Sequence, residues 1–194
     1  MEKISSLCVF CGSRFGNDPA YEDAARELGA VMADRGIRLI YGGGSVGLMG
    51  VVASAVMENG GQVVGIIPKF LEELEVGKSD VSELIITDNM HSRKHMMFDL
   101  SDGFISLPGG LGTLDETFEI LTWKQLHIHA KPVIIMDIAG YWDELSELIN
   151  AIISKGFAEP RIKGLYQVVS NPAEAFAALE QAPEPTFISH SEKI

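Results

Sequence analysis

Cysteine is nearly absent from this chain. Of 194 residues only Cys8 and Cys11 carry thiols, and no second C-x-x-C pair stands elsewhere to complete a zinc site. A thioredoxin-type pair is disfavoured too, because such a pair opens a helix whereas Cys8 lies inside an apolar strand pattern. Both thiols are read as buried structural residues. Basic charge is also scarce: 15 Lys plus Arg stand against 27 Asp plus Glu, a net charge of -12. That balance repels nucleic acid and anionic membrane, so neither is expected as a partner, and an anionic ligand must be caught by a local patch. No apolar run approaches the roughly 20 residues of a membrane span, and the start at Met1 lacks a signal-peptide core, which together point to a cytoplasmic protein. Familiar nucleophile and nucleotide motifs are missing as well. There is no G-x-S-x-G elbow, and Gly110-Leu111-Gly112-Thr113 lacks the lysine of a Walker loop.

What the chain does have is strict alternation. Short continuous apolar runs predict strands near Ser6 to Phe10, Ile37 to Tyr41, Val63 to Ile67, Leu84 to Thr87, Gly103 to Leu107 and Pro132 to Met136, with a weaker one at Tyr166 to Val169. Helical patterns fall between them: Pro19 to Arg35, Leu48 to Asn59, Asn89 to Leu100, Thr113 to Leu126, Tyr141 to Lys155 and Pro172 to Glu180. Such alternation implies right-handed βαβ units in an α/β fold, a Rossmann-like doubly wound parallel sheet flanked by helices on both faces. Ligands of such sheets bind at the carboxyl ends of the strands. Residues 1–181 read as one domain, followed by a loose Pro-, Glu- and Ser-rich tail over 182–194. The polar stretch from Lys69 to Glu83 is long enough to act as a flap beside the site.

Two glycine-rich turns fall where a ligand is expected. Gly42-Gly43-Gly44-Ser45-Val46-Gly47 follows the second strand, and Pro108-Gly109-Gly110-Leu111-Gly112-Thr113 follows the fifth. A glycine-lined strand-to-helix turn lets backbone N–H groups approach an anion, and the following helix start favours phosphate. The first turn matches G-x-G-x-x-G, but the acid that would hold the ribose of a dinucleotide is missing where the next strand ends, Gly65-Ile66-Ile67-Pro68. A mononucleotide fits better than NAD or a flavin. The bland alternative is a turn that only packs helix on strand.

Met90-His91-Ser92-Arg93-Lys94-His95 crowds basic side chains into a first helical turn, where the macrodipole disfavours cations. Either Arg93 and Lys94 form the phosphate patch or they are a solvated basic end. Glu116 shares a helix face with Thr113 and is the carboxylate best placed for chemistry, although Thr113-Leu114-Asp115-Glu116 also reads as a capping box. His91 and His95, and His127 and His129, lack the partners of a metal site, so no metal is expected.

The runs Gly43 to Gly50, Met90 to Lys94, Pro108 to Glu116 and Thr122-Trp123-Lys124-Gln125-Leu126 resemble the LOG (Lonely Guy) family, cytokinin riboside 5'-monophosphate phosphoribohydrolases. The resemblance spans about residues 4 to 180. It implies a Rossmann-like homodimer that hydrolyses the N-glycosidic bond of a nucleoside 5'-monophosphate, cytokinin-type or AMP, without a cofactor. Relatives often labelled lysine decarboxylases share these runs, yet nothing here marks a pyridoxal phosphate lysine. By position, Arg93 and Glu116 match the catalytic pair. Lys94, Gly109, Gly110, Gly112, Thr113 and Asp115 match the substrate-binding run, with Leu111 inside it, and Glu75 and Thr122 match further contacts. Gly43, Gly44 and Gly47 are expected to help hold the phosphate, with Arg93 assisting the leaving purine. Relatives commonly carry Tyr at position 111 and Glu at 115, which bears on base preference. The competing readings are a nucleotide sensor without catalysis, which would not need Glu116, and a dinucleotide-dependent oxidoreductase.

Overall fold

The computed structural model describes residues 4–72 and 81–181. Strands Ser6–Phe10 (β1), Arg38–Tyr41 (β2), Val63–Pro68 (β3), Glu83–Thr87 (β4), Gly103–Ser106 (β5), Val133–Met136 (β6) and Gln167–Val169 (β7) pair in the order β4-β3-β2-β1-β5-β6-β7. Every pairing is parallel, with Leu7 opposite both Leu39 and Gly103. A parallel sheet needs crossovers, and helices Pro19–Asp34 (α1), Gly47–Glu58 (α2), Lys69–Glu72 (α3), Met90–Asp99 (α4), Leu111–Gln125 (α5), Asp143–Ser154 (α6) and Pro172–Glu180 (α7) supply them. The expected doubly wound α/β architecture is the one observed.

Alternation along β1 shows why helices cover both faces. Leu7 and Val9 join Leu28 and Met32 of α1, Val52 and Val56 of α2 and Phe176 of α7 in one cluster. Cys8 and Phe10 point the other way, toward Met97 of α4 and Ile120 and Leu121 of α5. Each such fully buried Leu or Val is worth about 1.5–3 kcal/mol relative to exposure. Cys8 and Cys11 are both buried and free, in keeping with structural thiols.

Element boundaries differ from the sequence expectation by two residues at two helix starts. α5 begins at Leu111 rather than Thr113 because Gly110 takes the extended N-cap conformation, and no side chain caps it. α6 begins at Asp143 rather than Tyr141. Ala139 and Gly140 are left-handed, with φ of 54° and 72°, and the Asp137 carboxylate accepts the Trp142 N–H at 2.8 Å, holding a turn before the helix. The sequence pattern also gave no sign of the 3₁₀ turn Pro160–Leu165. Glu75, much of the expected flap and the tail over 182–194 lie outside the described residues.

The strand order reverses between β1 and β5. Two neighbouring crossovers leave on opposite sides there, and a crevice opens beyond the strand ends. The loops after β1 and β5 border it, stitched together where the Gly12 N–H donates to the Pro108 carbonyl at 3.0 Å.

Candidate functional site

Two chambers meet at that crevice. An inner one of about 220 Å³ is lined by residues that include Cys11, Met49, Arg93, Thr113 and Glu116. An outer one of about 590 Å³ is lined by Arg14, Phe15, Tyr21, Gly109 and Tyr141 among others. Ser13, Gly110 and Leu111 line both.

The second glycine turn faces this cleft. Gly110 and Gly112 have open space where a Cβ would stand, and Leu111 is 85% exposed. Gly109 is a different case, since a Cβ there would overlap the Thr113 side chain. Tyr141 Oη donates to the Gly109 carbonyl and fixes the turn from the wall of the outer chamber. Thr113 is buried, and its carbonyl accepts from Thr117 Oγ1 at 2.6 Å, while Thr117 Oγ1 also meets Ser106 Oγ at 2.7 Å. α5 is thus locked to β5 with its uncapped start aimed at the crevice, and such a start offers backbone N–H groups and partial positive charge to an anion.

The first glycine turn is closed. Gly43, Gly44 and Gly47 are buried and line neither chamber. Gly47, at φ +67°, makes room for the backbone of Ser13 and Arg14, and Gly42 makes room for the Arg93 guanidinium. The Met49 N–H, in the first turn of α2, is taken by the Gly12 carbonyl at 3.4 Å. Of the two turns, only the second borders these chambers, and the glycines of the first seat Arg93 and the β1 loop.

Arg93 enters the inner chamber from α4. Its Nε donates to the Ile66 carbonyl at 3.1 Å and its Nη2 to the Gly42 carbonyl at 3.2 Å, and Nη2 lies 3.8 Å from Glu116 Oε1. Glu116 is 12% exposed at its side chain. Burial pushes its carboxyl up to about 7, against the pull of the Arg93 guanidinium, while Asp115 raises it further. A carboxyl poised near neutrality beside a fixed guanidinium is suited to proton transfer. The capping-box alternative falls away. Thr113 stands inside α5, Gly110 is the N-cap, and Glu116 turns to Arg93 instead.

Lys94 departs from its expected place in a phosphate patch. Its Nζ lies 3.1 Å from Asp115 Oδ2 and 3.0 Å from Glu119 Oε1. Burial works against the ammonium, but hydrogen bonds to Glu119 and Asp115 outweigh it and hold it above the ordinary lysine value. The anion that offsets the basic start of α4 is thus the acidic face of α5. Asp115 points to Lys94 and lines neither chamber, and exposed Thr122 also stands apart from both. Among the imidazoles, His95 meets Asp99 at 3.4 Å and buried His129 meets the Ile120 carbonyl at 2.9 Å. Among the described residues, no group of three or more His, Cys, Asp or Glu is placed to hold a metal ion.

Sequence reasoning passed over Ser13, Arg14, Phe15, Tyr21, Leu71 and Tyr141, which line the chambers. The available signal was topological. In a doubly wound sheet the loop after the first strand borders the switch-point crevice whatever its motif content.

A family model described as "Possible lysine decarboxylase" matches residues 49–179. The chain is 45% identical over 171 residues to the Arabidopsis thaliana cytokinin riboside 5'-monophosphate phosphoribohydrolase LOG1, covering 88% of this chain and 79% of that one. It is 41% identical to the Arabidopsis thaliana cytokinin riboside 5'-monophosphate phosphoribohydrolase LOG7 over 192 residues, covering 99% and 88%. The chain belongs to the LOG family. Among solved structures, the molybdenum cofactor carrier protein of Chlamydomonas reinhardtii shares the fold with a TM-score of 0.70 at 23% identity, over 93% of this chain and 98% of that one.

The decarboxylase description would call for pyridoxal phosphate on a lysine. The described lining of both chambers contains no lysine, and nearby Lys94 is kept charged between two carboxylates, whereas a Schiff base forms from a neutral amine. These residues do not fit that group, and the LOG assignment accounts for them better.

Proposed function

We propose that this LOG-family protein is a phosphoribohydrolase that cleaves the N-glycosidic bond of a purine nucleoside 5'-monophosphate, giving free base and ribose 5-phosphate. The observation that carries this reading is Glu116, buried 3.8 Å from Arg93 in a chamber bordered by the open start of α5. Helical rise sets Glu116 about 6 Å along the axis from Gly112, and helical side chains lean back toward the N-terminus. A phosphate on the helix start thereby brings its own ribose to the carboxylate.

The bond between C1' and the base nitrogen breaks with its electron pair leaving on the purine, and positive charge spreads over C1' and the ring oxygen. The ionised Glu116 carboxylate stabilises that charge, takes a proton from the attacking water, and water oxygen bonds C1'. The proton balances on the departing base. Arg93, fixed by two carbonyls, orients the carboxylate and polarises the leaving group. Water is the only co-reactant this chemistry requires.

The same reading includes AMP and isopentenyl-type riboside monophosphates as substrates, with Leu111 bearing on base preference. It also includes a cytoplasmic homodimer. The absence of a membrane-length apolar helix among the described residues fits that location, and exposed Leu126, Ile128 and Phe157 favour a subunit contact. Incubation with a panel of purine nucleoside 5'-monophosphates, with the matching nucleosides as controls, should release free base from the monophosphates alone. Nucleotide binding without base release would leave the sensor reading instead. Light scattering at working concentration should give twice the chain mass.

A further inference from the structure

Among the described residues two cations line the cleft, Arg93 in the inner chamber and Arg14 in the outer one. Arg93 is committed. Its Nε and Nη2 donate to main-chain carbonyls, Nη2 also faces Glu116, and Nη1 lies 3.7 Å from Met90 Sδ. Lys94, just outside, is held between Asp115 and Glu119. Arg14 differs from both. It is exposed and makes no ion pair among the described residues. Among the described residues, a phosphate dianion entering a chain of net charge -12 therefore finds Arg14 as the one uncommitted guanidinium beside its path.

The loop that carries Arg14 is built into place rather than loose. The Gly12 N–H donates to the Pro108 carbonyl, the Gly12 carbonyl accepts the Met49 N–H, and the backbone of Ser13 and Arg14 packs on Gly47. Arg14 thus shares the outer chamber with Gly109, Gly110 and Leu111 at the start of α5. A guanidinium presents paired donors that match phosphate oxygens, and the helix start offers the complementary main-chain donors.

We propose that Arg14 is a specificity-determining residue, gripping the 5'-phosphate from the outer chamber and so making the enzyme read a nucleotide rather than a nucleoside. The proposal rests on the phosphoribohydrolase reading of the cleft. It moves the phosphate's cationic partner from the α4 pair, where the sequence suggested it, to the loop after β1.

Ribose 5-phosphate is the probe, titrated calorimetrically into the parent, Arg14→Ala and Arg14→Lys, alongside base-release kinetics on a purine nucleoside 5'-monophosphate. Arg14→Ala should bind ribose 5-phosphate at least 10-fold more weakly and show KM raised in proportion, with the loss falling on KM rather than kcat. Arg14→Lys should recover part of the affinity. Equal ribose 5-phosphate affinity in parent and Arg14→Ala overturns the role of Arg14, and so does a parent that does not bind the probe. Base release by the parent reads separately on the reaction, so failure of the reaction and failure of the arginine are told apart. Circular dichroism checks that the exposed substitution leaves the fold intact.

Discussion

The two glycine turns are near twins in sequence and opposites in space. Both follow a strand, both open a helix, and both crowd glycines into six residues. In the second, Gly110 and Gly112 border open space and the helix start is uncapped. In the first, the same residue type admits the Arg93 guanidinium at Gly42 and the backbone of the β1 loop at Gly47. Glycine licenses close approach, and what approaches can be a ligand or the protein itself. On the proposed mechanism the first turn serves the reaction indirectly, by seating the arginine that faces Glu116.

The largest effect expected from this contrast lies on the helix that the open turn begins. Glu116→Gln should lower kcat for base release by about 10²–10⁴-fold, the usual contribution of a positioned acid–base group, as read by chromatography of the freed base. Next comes the packed turn. Gly42→Ala would put a methyl into the Arg93 guanidinium, and a shift of that group by an ångström should cost about 10²-fold in kcat/KM although Gly42 touches no substrate. An unchanged kcat/KM in this variant would break the link between the first turn and the chemistry.

A stability pair sharpens the comparison further. Gly47→Ala combines a left-handed φ of +67° with overlap on the β1-loop backbone, and should destabilise by about 2–4 kcal/mol in chemical denaturation. Gly112→Ala adds a methyl to open space inside a helix and should leave stability within about 1 kcal/mol of the parent, or raise it.

A further effect is one of pH. Glu116 titrates at about 7 when folded against an ordinary value of 4.5, because burial disfavours its charge. Its contribution to stability is fully present below about pH 4.5 and is lost as pH rises through 7, since the unfolded chain ionises first. Glu116→Gln lacks that slope. Its stability relative to the parent should rise between pH 5 and pH 8 by on the order of 1–3 kcal/mol, measured by denaturation at each pH. Base release by the parent should rise over the same window as the carboxylate forms.

Most of the architecture was legible because the local signals agree with one another. Continuous apolar runs such as Val63 to Ile67 suit a sheet covered on both faces, and Asp18-Pro19 and Asn171-Pro172 mark helix starts in their own letters. The start of α5 was not legible to the residue, because a glycine N-cap carries no side-chain signature while Thr113-x-x-Glu116 imitates one. Arg93 and Glu116 stood out by pattern, and the fold brings them together. The commitment of Lys94 to Asp115 and Glu119 was hidden, since it depends on how two helices face each other across β5 and not on either helix alone. Arg14 was hidden for a simpler reason: it belongs to no motif and acquires its position from strand order.

The most direct test is a crystal structure of the protein with ribose 5-phosphate bound. The account predicts phosphate oxygens within hydrogen-bond reach of the N–H groups of Leu111, Gly112 and Thr113, the ribose against Glu116, and no contact with residues 43–47. A phosphate seated on Gly43 or Gly44, with the start of α5 left bare, would contradict it.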